Sequence, residues 1–429
     1  MELLLHYLWK NKFFPQQNQK TTNGTPIEII DVGQPNYNAG PDFFNSKVKI
    51  DGCTWAGNIE IHNRSSEWRK HGHHTDSRYN SVILHVVLVA DVEVSNALGN
   101  TIPQFVLPLA NLLERKADEL LSKSRLPKCY ASLPSLKKID LLAWLDALLI
   151  ERLEERAVIL YEWLVAVNFR WSDVLFISLS RSFGLGVNSF CFEQWALSLP
   201  FHALDKHRDN LFQLEAIFFG MAGVFEQKDL VLDAYARALE KEYNFLSYKF
   251  GLTCCKGLDW KMFKIRPQAF PYLKIAQLAY IYSHLPLLVS SFLTVKDERS
   301  LALLLKVGTS SYWENHFRFA AETKRKKVGI GKKIISLVFI NTIVPFVYLY
   351  GKNRPHSEFC EQAVGLLEKV KAEDNYITRA WRSSGVILES AADSQAILQL
   401  DKRYCSAKKC LYCRIGFIHL KGACLSAKK

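Results

Sequence analysis

The chain has 429 residues, 49% of them hydrophobic and 12% aromatic, with a formal net charge of +13. This length exceeds one comfortable hydrophobic core, so two or three domains are expected, and the apolar content excludes an intrinsically disordered chain. The basic surplus points to a polyanionic partner, with nucleic acid the expected one.

Leu3–Phe14 reads as a short helix with apolar residues at 4, 5, 8, 9 and 13. No secretory signal is read there, because Glu2, His6 and Lys10 interrupt the apolar run and no small-residue cleavage site follows. Thr21–Thr25 is a turn around Asn23-Gly24, Ile27–Val32 a strand, and Gly33–Gly40 a loop. Phe43–Ile50 and Thr54–His62 are strands joined by a hairpin signal at Asp51-Gly52. Ser65–Asn80 is polar and partly helical. Ser81–Ala90 is an apolar, β-branched run expected to be a buried strand, and Ile102–Leu107 holds one more. From about Leu112 the pattern becomes helical: Ile139–Asn168, Trp171–Gly184, Asp209–Gly223, Leu230–Tyr248, Tyr272–Leu287 and Glu358–Lys371. Ile334–Tyr350 is the longest apolar stretch. It contains Asn341 and Pro345 and is short for a membrane span, so a buried helix is expected. Scattered cysteines suit a reducing compartment, and a cytoplasmic protein with no membrane partner is expected. The basic run Lys324–Lys327 reads as a solvated loop.

Chemistry is densest between Asn36 and His85. Five of the twelve histidines fall at 62, 71, 73, 74 and 85. Strand alternation places Glu60 and His62 on one face, with Asp42 at the start of the preceding strand. Two carboxylates from adjacent strands can meet on one divalent cation, and oxygen ligands suit Mg²⁺ or Mn²⁺. His62 would then orient or deprotonate water, or act as a ligand. His71, His73 and Asp76 are expected to contact phosphate or support the site. With His74 they are also close enough to hold a transition metal such as Zn²⁺. Other readings stay open: Asp42 capping a turn, Glu60 and His62 as a solvent-facing pair, and His85 as a hydrogen-bonded core histidine.

Pro41-Asp42 followed by Glu60-Ile61-His62 resembles the PD-(D/E)xK nuclease superfamily. There a Pro-Asp opens one strand and a Glu-x-Lys lies on the next. The order helix, three strands, polar segment, strand fits as well. His62 stands where that superfamily usually has Lys. Over nearly the full chain, Gly-Pro-Asp-Phe (40–43), Gly-Asn-Ile-Glu-Ile-His (57–62), His71-Gly72-His73, Val-Ile-Leu-His-Val-Val (82–87), Arg-Pro-x-x-Phe-Pro (266–271) and Cys-Leu-Tyr-Cys-Arg-Ile-Gly (410–416) resemble a large uncharacterised bacterial family common in Bacteroidota. The nuclease resemblance implies an α+β chain. A restriction-endonuclease-like α/β domain would occupy 1–110, a mainly helical body 111–400 and a cysteine-containing basic tail 401–429. It implies a metal-dependent nuclease with Asp42 and Glu60 as ligands. The alternatives are a non-catalytic nucleic-acid-binding or scaffold protein, or another hydrolase using the histidine cluster.

Cys405, Cys410 and Cys413 follow C-x4-C-x2-C among Lys402, Arg403, Lys408, Lys409 and Arg414. Closely spaced thiols in a basic segment are expected to have lowered pKa values and to bind Zn²⁺ or an iron–sulfur cluster. A fourth ligand is needed, and Cys424 and Cys129 are the candidates. The nuclease resemblance favours Cys129, because some members of that superfamily build a cluster from one distant and three C-terminal cysteines. Packing as small reduced hydrophobes is the alternative.

Overall fold

Period-two alternation in the longer strands of the first 106 residues accompanies a seven-stranded sheet. The computed structural model describes residues 2–36, 38–108, 129, 133, 136–227, 231–262, 265–266, 269–285, 289–324, 329–354 and 358–426, without the side chains beyond 421. Most of the basic run at 324–327, as well as Pro267 and the Cys424 side chain, lies outside the described residues. The chain is α+β, with the sheet at the N-terminal end and helices after it.

The strands are β1 (Gln19–Lys20), β2 (Pro26–Asp31), β3 (Gln34–Pro35), β4 (Phe43–Ile50), β5 (Cys53–Arg64), β6 (Val82–Val89) and β7 (Gln104–Val106). Their order is β1-β2-β4-β5-β6-β7, with β3 also paired to β4. β4 and β5 are antiparallel across Asp51-Gly52, both at positive φ, the conformation that a two-residue hairpin requires. β5, β6 and β7 run parallel. A parallel pair needs a crossover, and the segment between β5 and β6 supplies it. That segment carries the short helix α2 (Glu67–Lys70) and a 3₁₀ turn at Ser77–Tyr79. Gln34–Pro35, expected within a loop, pairs with the start of β4.

Helix α1 (Glu2–Lys10) buries Leu4, Leu5, Leu8 and Trp9. Trp9 Nε1 donates to the Val32 carbonyl at 3.1 Å and its ring stacks on Phe14. The helix was expected to reach Phe14 but stops at Lys10. Lys12 takes a left-handed φ of 51°, and the Lys12 and Phe13 amides close back onto the Trp9 and Leu8 carbonyls. This is a Schellman-type ending, which needs such a residue just past the helix.

The chain forms two compact units. The first comprises Met1–Trp144, Arg379–Val386 and Leu400–Lys429; the second comprises Leu145–Thr378 and Ile387–Gln399. The expected long helices of the second unit are present, among them Trp171–Phe183, Leu211–Met221, Ala234–Phe250, Pro271–His284 and Phe359–Glu368. Asn210 and Asp233 cap two of these starts by accepting from the amides three residues on, and Pro271 sits at a first-turn position. The apolar stretch at 334–350 is helical within Lys332–Lys352. By length and composition that helix could cross a membrane, but 72% of its apolar window is buried in the protein. A π turn at Phe339–Ile343 lies just ahead of Pro345, where the missing N–H and the ring would otherwise break the helix ladder.

Candidate metal centre

β5 is buried on both faces over its second half. Ile59 and Ile61 fill one face and are fully buried. The alternate residues, Glu60 and His62, are only 4% and 1% exposed. They are therefore a pair held inside the protein, and the solvent-facing reading of them is excluded. In the parallel register Glu60 lies opposite His85 of β6, so those side chains share a face. His85 is fully buried, and its Nε2 lies 2.9 Å from His62 Nδ1.

Asp42 enters from the neighbouring strand. Between Phe43 and Ser46 β4 holds one residue more than β5, a bulge with Asn45 at φ 56°. Bulges re-aim the side chains beside them. Asn36 fixes the approach, its amide donating to the Asp42 carbonyl and its Nδ2 to the Pro41 carbonyl. Asp42 Oδ2 accepts from the Ile61 amide at 2.9 Å, and the Asp42 amide donates to Glu60 Oε2 at 3.2 Å. Each side chain is thus tied to backbone beside the other, Asp42 to the residue after Glu60 and Glu60 to Asp42 itself.

The crossover after β5 brings the other histidines. Trp68 is fully buried, with Nε1 donating to the Ser95 carbonyl, and Gly72 at φ 78° turns the chain back. Asp91 ties the crossover to the sheet by accepting from Ser65, Ser66 and Arg64. Glu67 Oε2 accepts from the Asn63 and Arg64 amides. These bonds leave His73 Nε2 3.2 Å from Glu60 Oε1, and His62 Nε2 3.5 Å from the same oxygen. His71 Nδ1 lies 3.1 Å from His62 Nε2. One nitrogen from each of His62, His71 and His73 falls within 4.8 Å of the others, the one such group of three among the described residues. Tyr79 stacks on His73 at 3.8 Å and backs the ring.

The titratable groups of the cluster are strongly perturbed. Burial, then the nearby Asp42 carboxylate, holds the Glu60 carboxyl far above the usual range. Burial and the surrounding imidazoles push His62 down to about 2, and burial with His73 pushes His85 down to about 3. His73 is lowered too, chiefly by burial. His62, His73 and His85 are therefore held neutral, the form that binds metals. A divalent ion would offset the unfavourable pairing of Asp42 with an ionised Glu60. His62 Nδ1 is held by His85, which fixes the ring and turns Nε2 toward Glu60 and His71, where it could ligate. The donor set fits a cation, and its nitrogens suit a transition ion better than Mg²⁺.

Sequence reasoning placed Asp42, Glu60, His62, His71 and His73 here, and all five converge. Asp76 caps the 3₁₀ turn by accepting from the Arg78 amide and pairs with the Arg78 side chain, within electrostatic reach of His73. His74 is exposed. His6 of α1 was missed, though its Nε2 lies 3.3 Å from Asp42 Oδ2. Burial opposes its charge, but the Asp42 carboxylate prevails and raises its pKa. The spacing of Glu2 and His6 on the polar side of α1 was the only sequence signal. Cys129, Cys405, Cys410 and Cys413 all belong to the first unit, as does this site. Their thiols are raised by burial, not lowered by the flanking basic residues as expected.

A family described as "Protein of unknown function (DUF2851)" matches residues 2–376. No curated protein and no solved structure matches.

Proposed function

The chain belongs to the DUF2851 family, and since that description names no activity, we propose a function from the site itself: a metal-dependent hydrolase that cleaves phosphodiesters of DNA or structured nucleic acid. The observation that carries this reading is the convergence of His62 and His73 on the Glu60 carboxylate, with Asp42 beside it. Glu60, His62 and His73 would hold the ion, Asp42 would flank it, and His71 would complete the set on the solvent side. Manganese suits this mixed nitrogen and oxygen set better than magnesium. When bound, such an ion polarises a phosphoryl oxygen and lowers the pKa of a coordinated water. His62, in the position expected to activate water, is better placed as a ligand. His6, its charged form favoured by Asp42, suits a phosphate oxygen at the rim. Helix α1, the longer strands β2, β4 and β5 among the five that follow it, the helical crossover and parallel β6 are in keeping with the nuclease likeness. So does the +13 charge.

The test is a cleavage assay on single- and double-stranded DNA and on RNA with Mn²⁺, Mg²⁺ or Zn²⁺, using wild type, Glu60→Ala and His73→Ala. Mn²⁺-dependent cleavage lost in both variants is expected. Cleavage that survives both substitutions removes the assignment. Salt-sensitive binding by metal-loaded protein that never cleaves would make it a nucleic-acid-binding scaffold instead.

A further inference from the structure

The helix Ala234–Phe250 of the second unit has two unlike faces. One buries Ala236, Leu239 and Leu246. The other carries Arg237, Lys241, Phe245 and Tyr248 at three- and four-residue spacing, all of them exposed, Phe245 to 60% and Tyr248 to 92%. Rings this open add little to the core. The C-terminal end of the helix, marked by Gly251 at a left-handed φ of 64°, meets the short helix Phe201–Lys206. There Lys249 Nζ lies 5.2 Å and Lys206 Nζ 5.6 Å from the centre of the same Phe250 ring, and His207 meets that ring edge-on at 5.5 Å. Two exposed ammonium groups from separate helices thus share one ring. The acids beside them are engaged elsewhere. Asp205, next to Lys206, accepts from Arg170 and Tyr282, and Glu242 accepts from Gln213. Among the described residues Lys206, Arg237, Lys241 and Lys249 form no ion pair.

We propose that this face of the second unit binds single-stranded nucleic acid, with phosphates on Lys206 and Lys249 and bases stacked on Tyr248 and Phe245. The negative end of the helix dipole accounts for one cation, Lys249. It does not account for a second ammonium brought from another segment, because two like charges at one ring repel until an anion lies between them. The open rings beside the cations narrow the anion further. A single strand exposes the faces of its bases, which stack on aromatic side chains while lysines track the backbone. A duplex keeps those faces covered. An acidic protein surface would answer the lysines and leave the rings unused. A bilayer surface calls for a broad apolar face, whereas Arg237, Lys241 and Asn244 occupy the rest of this one. The inference narrows the nucleic acid of the proposed hydrolase to a single strand and rests on that reading for its substrate, but binding here involves no metal and none of the histidines of the metal centre.

The test is fluorescence anisotropy of a labelled oligothymidylate titrated with the full chain in EDTA, at several salt concentrations, beside a duplex of equal length. The single strand should bind more tightly than the duplex. Tyr248→Ala should weaken its binding about 5–150-fold, the range that loss of one stacked base implies. The double variant Lys206→Ala, Lys249→Ala should lower the slope of log affinity on log salt by about 1.4, the loss of two phosphate contacts. Lys369→Ala, exposed elsewhere in the same unit, should change neither. All the substituted side chains are exposed, and an unchanged melting temperature confirms that each variant is folded. Wild-type affinity and salt slope in both the tyrosine and the lysine variants overturn the proposal. So does tighter binding of the duplex, or binding of phosphatidylserine vesicles by a chain that ignores the oligonucleotide. Metal-dependent cleavage with an undiminished Tyr248→Ala affinity would refute this surface and leave the hydrolase standing. Binding that depends on Tyr248, with no cleavage under any metal, would uphold the surface and remove the hydrolase.

Discussion

Lys274 lies on the helix Pro271–His284 and is 1% exposed. Its Nζ donates to Gln277 Oε1 at 2.9 Å and lies 5.6 Å from the Phe183 ring centroid. Burial lowers its pKa from 10.5 to about 8. The folded chain therefore releases this proton more readily than the unfolded chain. Between about pH 8 and 10.5 the unfolded state binds more protons, so stability rises with pH across that window. At pH 7 the charge is still present, and its burial costs about 3 kcal/mol. Lys274→Met keeps the length and removes the charge. It also orphans the Gln277 oxygen, at about 1 kcal/mol. The net expectation is a gain of about 2 kcal/mol at pH 7 that falls through zero as the pH approaches about 10.5, above which only the cost of about 1 kcal/mol for the orphaned oxygen remains. Urea unfolding of wild type and variant at matched pH values measures this, and taking their difference cancels the tyrosines that titrate in the same range. Two curves with equal pH slopes would refute the reasoning, because they would mean that the lysine is not penalised in the fold.

Glu60→Gln should change sign with metal. Without metal it relieves a buried carboxylate facing Asp42 and raises the melting temperature; with Mn²⁺ it removes a ligand, so the metal-induced rise of the wild type should shrink or vanish in a thermal scan. His85→Ala should leave the ligands in place but free the His62 ring, lowering Mn²⁺ affinity about 10–100-fold by titration calorimetry. An unchanged affinity would mean that His85 only fills space.

Much of the sheet was legible because period two is a local signal. Phe43–Ile50 matched residue for residue, and Thr54–His62 fell within Cys53–Arg64. Glu60 and His62 were legible for the same reason, since alternation alone puts them on one face. Their burial was not, because it depends on β6 pairing in parallel and on the crossover covering the strand. His6 reaches Asp42 only through docking of α1, a tertiary event that the apolar stripe at 4, 5, 8 and 9 implies without giving its rotation. Short helices such as Ser189–Leu197, Phe201–Lys206 and Glu298–Leu305 were missed. Each spans three turns or fewer, too few for periodicity to declare itself, and is held by packing more than by propensity. Asp76 was read as supporting the site or contacting phosphate; its carboxylate pairs with Arg78 while lying within electrostatic reach of His73.

The ring contact between Phe13 and Phe417, 5.2 Å apart, spans almost the whole sequence. It ties the end of α1 to a tail that follows the second unit in the chain. During synthesis the first unit must wait for residues 400–426 before it can close. At about 5–20 residues per second the ribosome takes roughly 10–50 s to cross that gap. Through that interval the early strands, with Glu60 and His62 among them, are present without the segment that completes their unit. Folding of the second unit can run to completion first, so closure of the sheet-bearing unit is timed by the translation of residues 400–426.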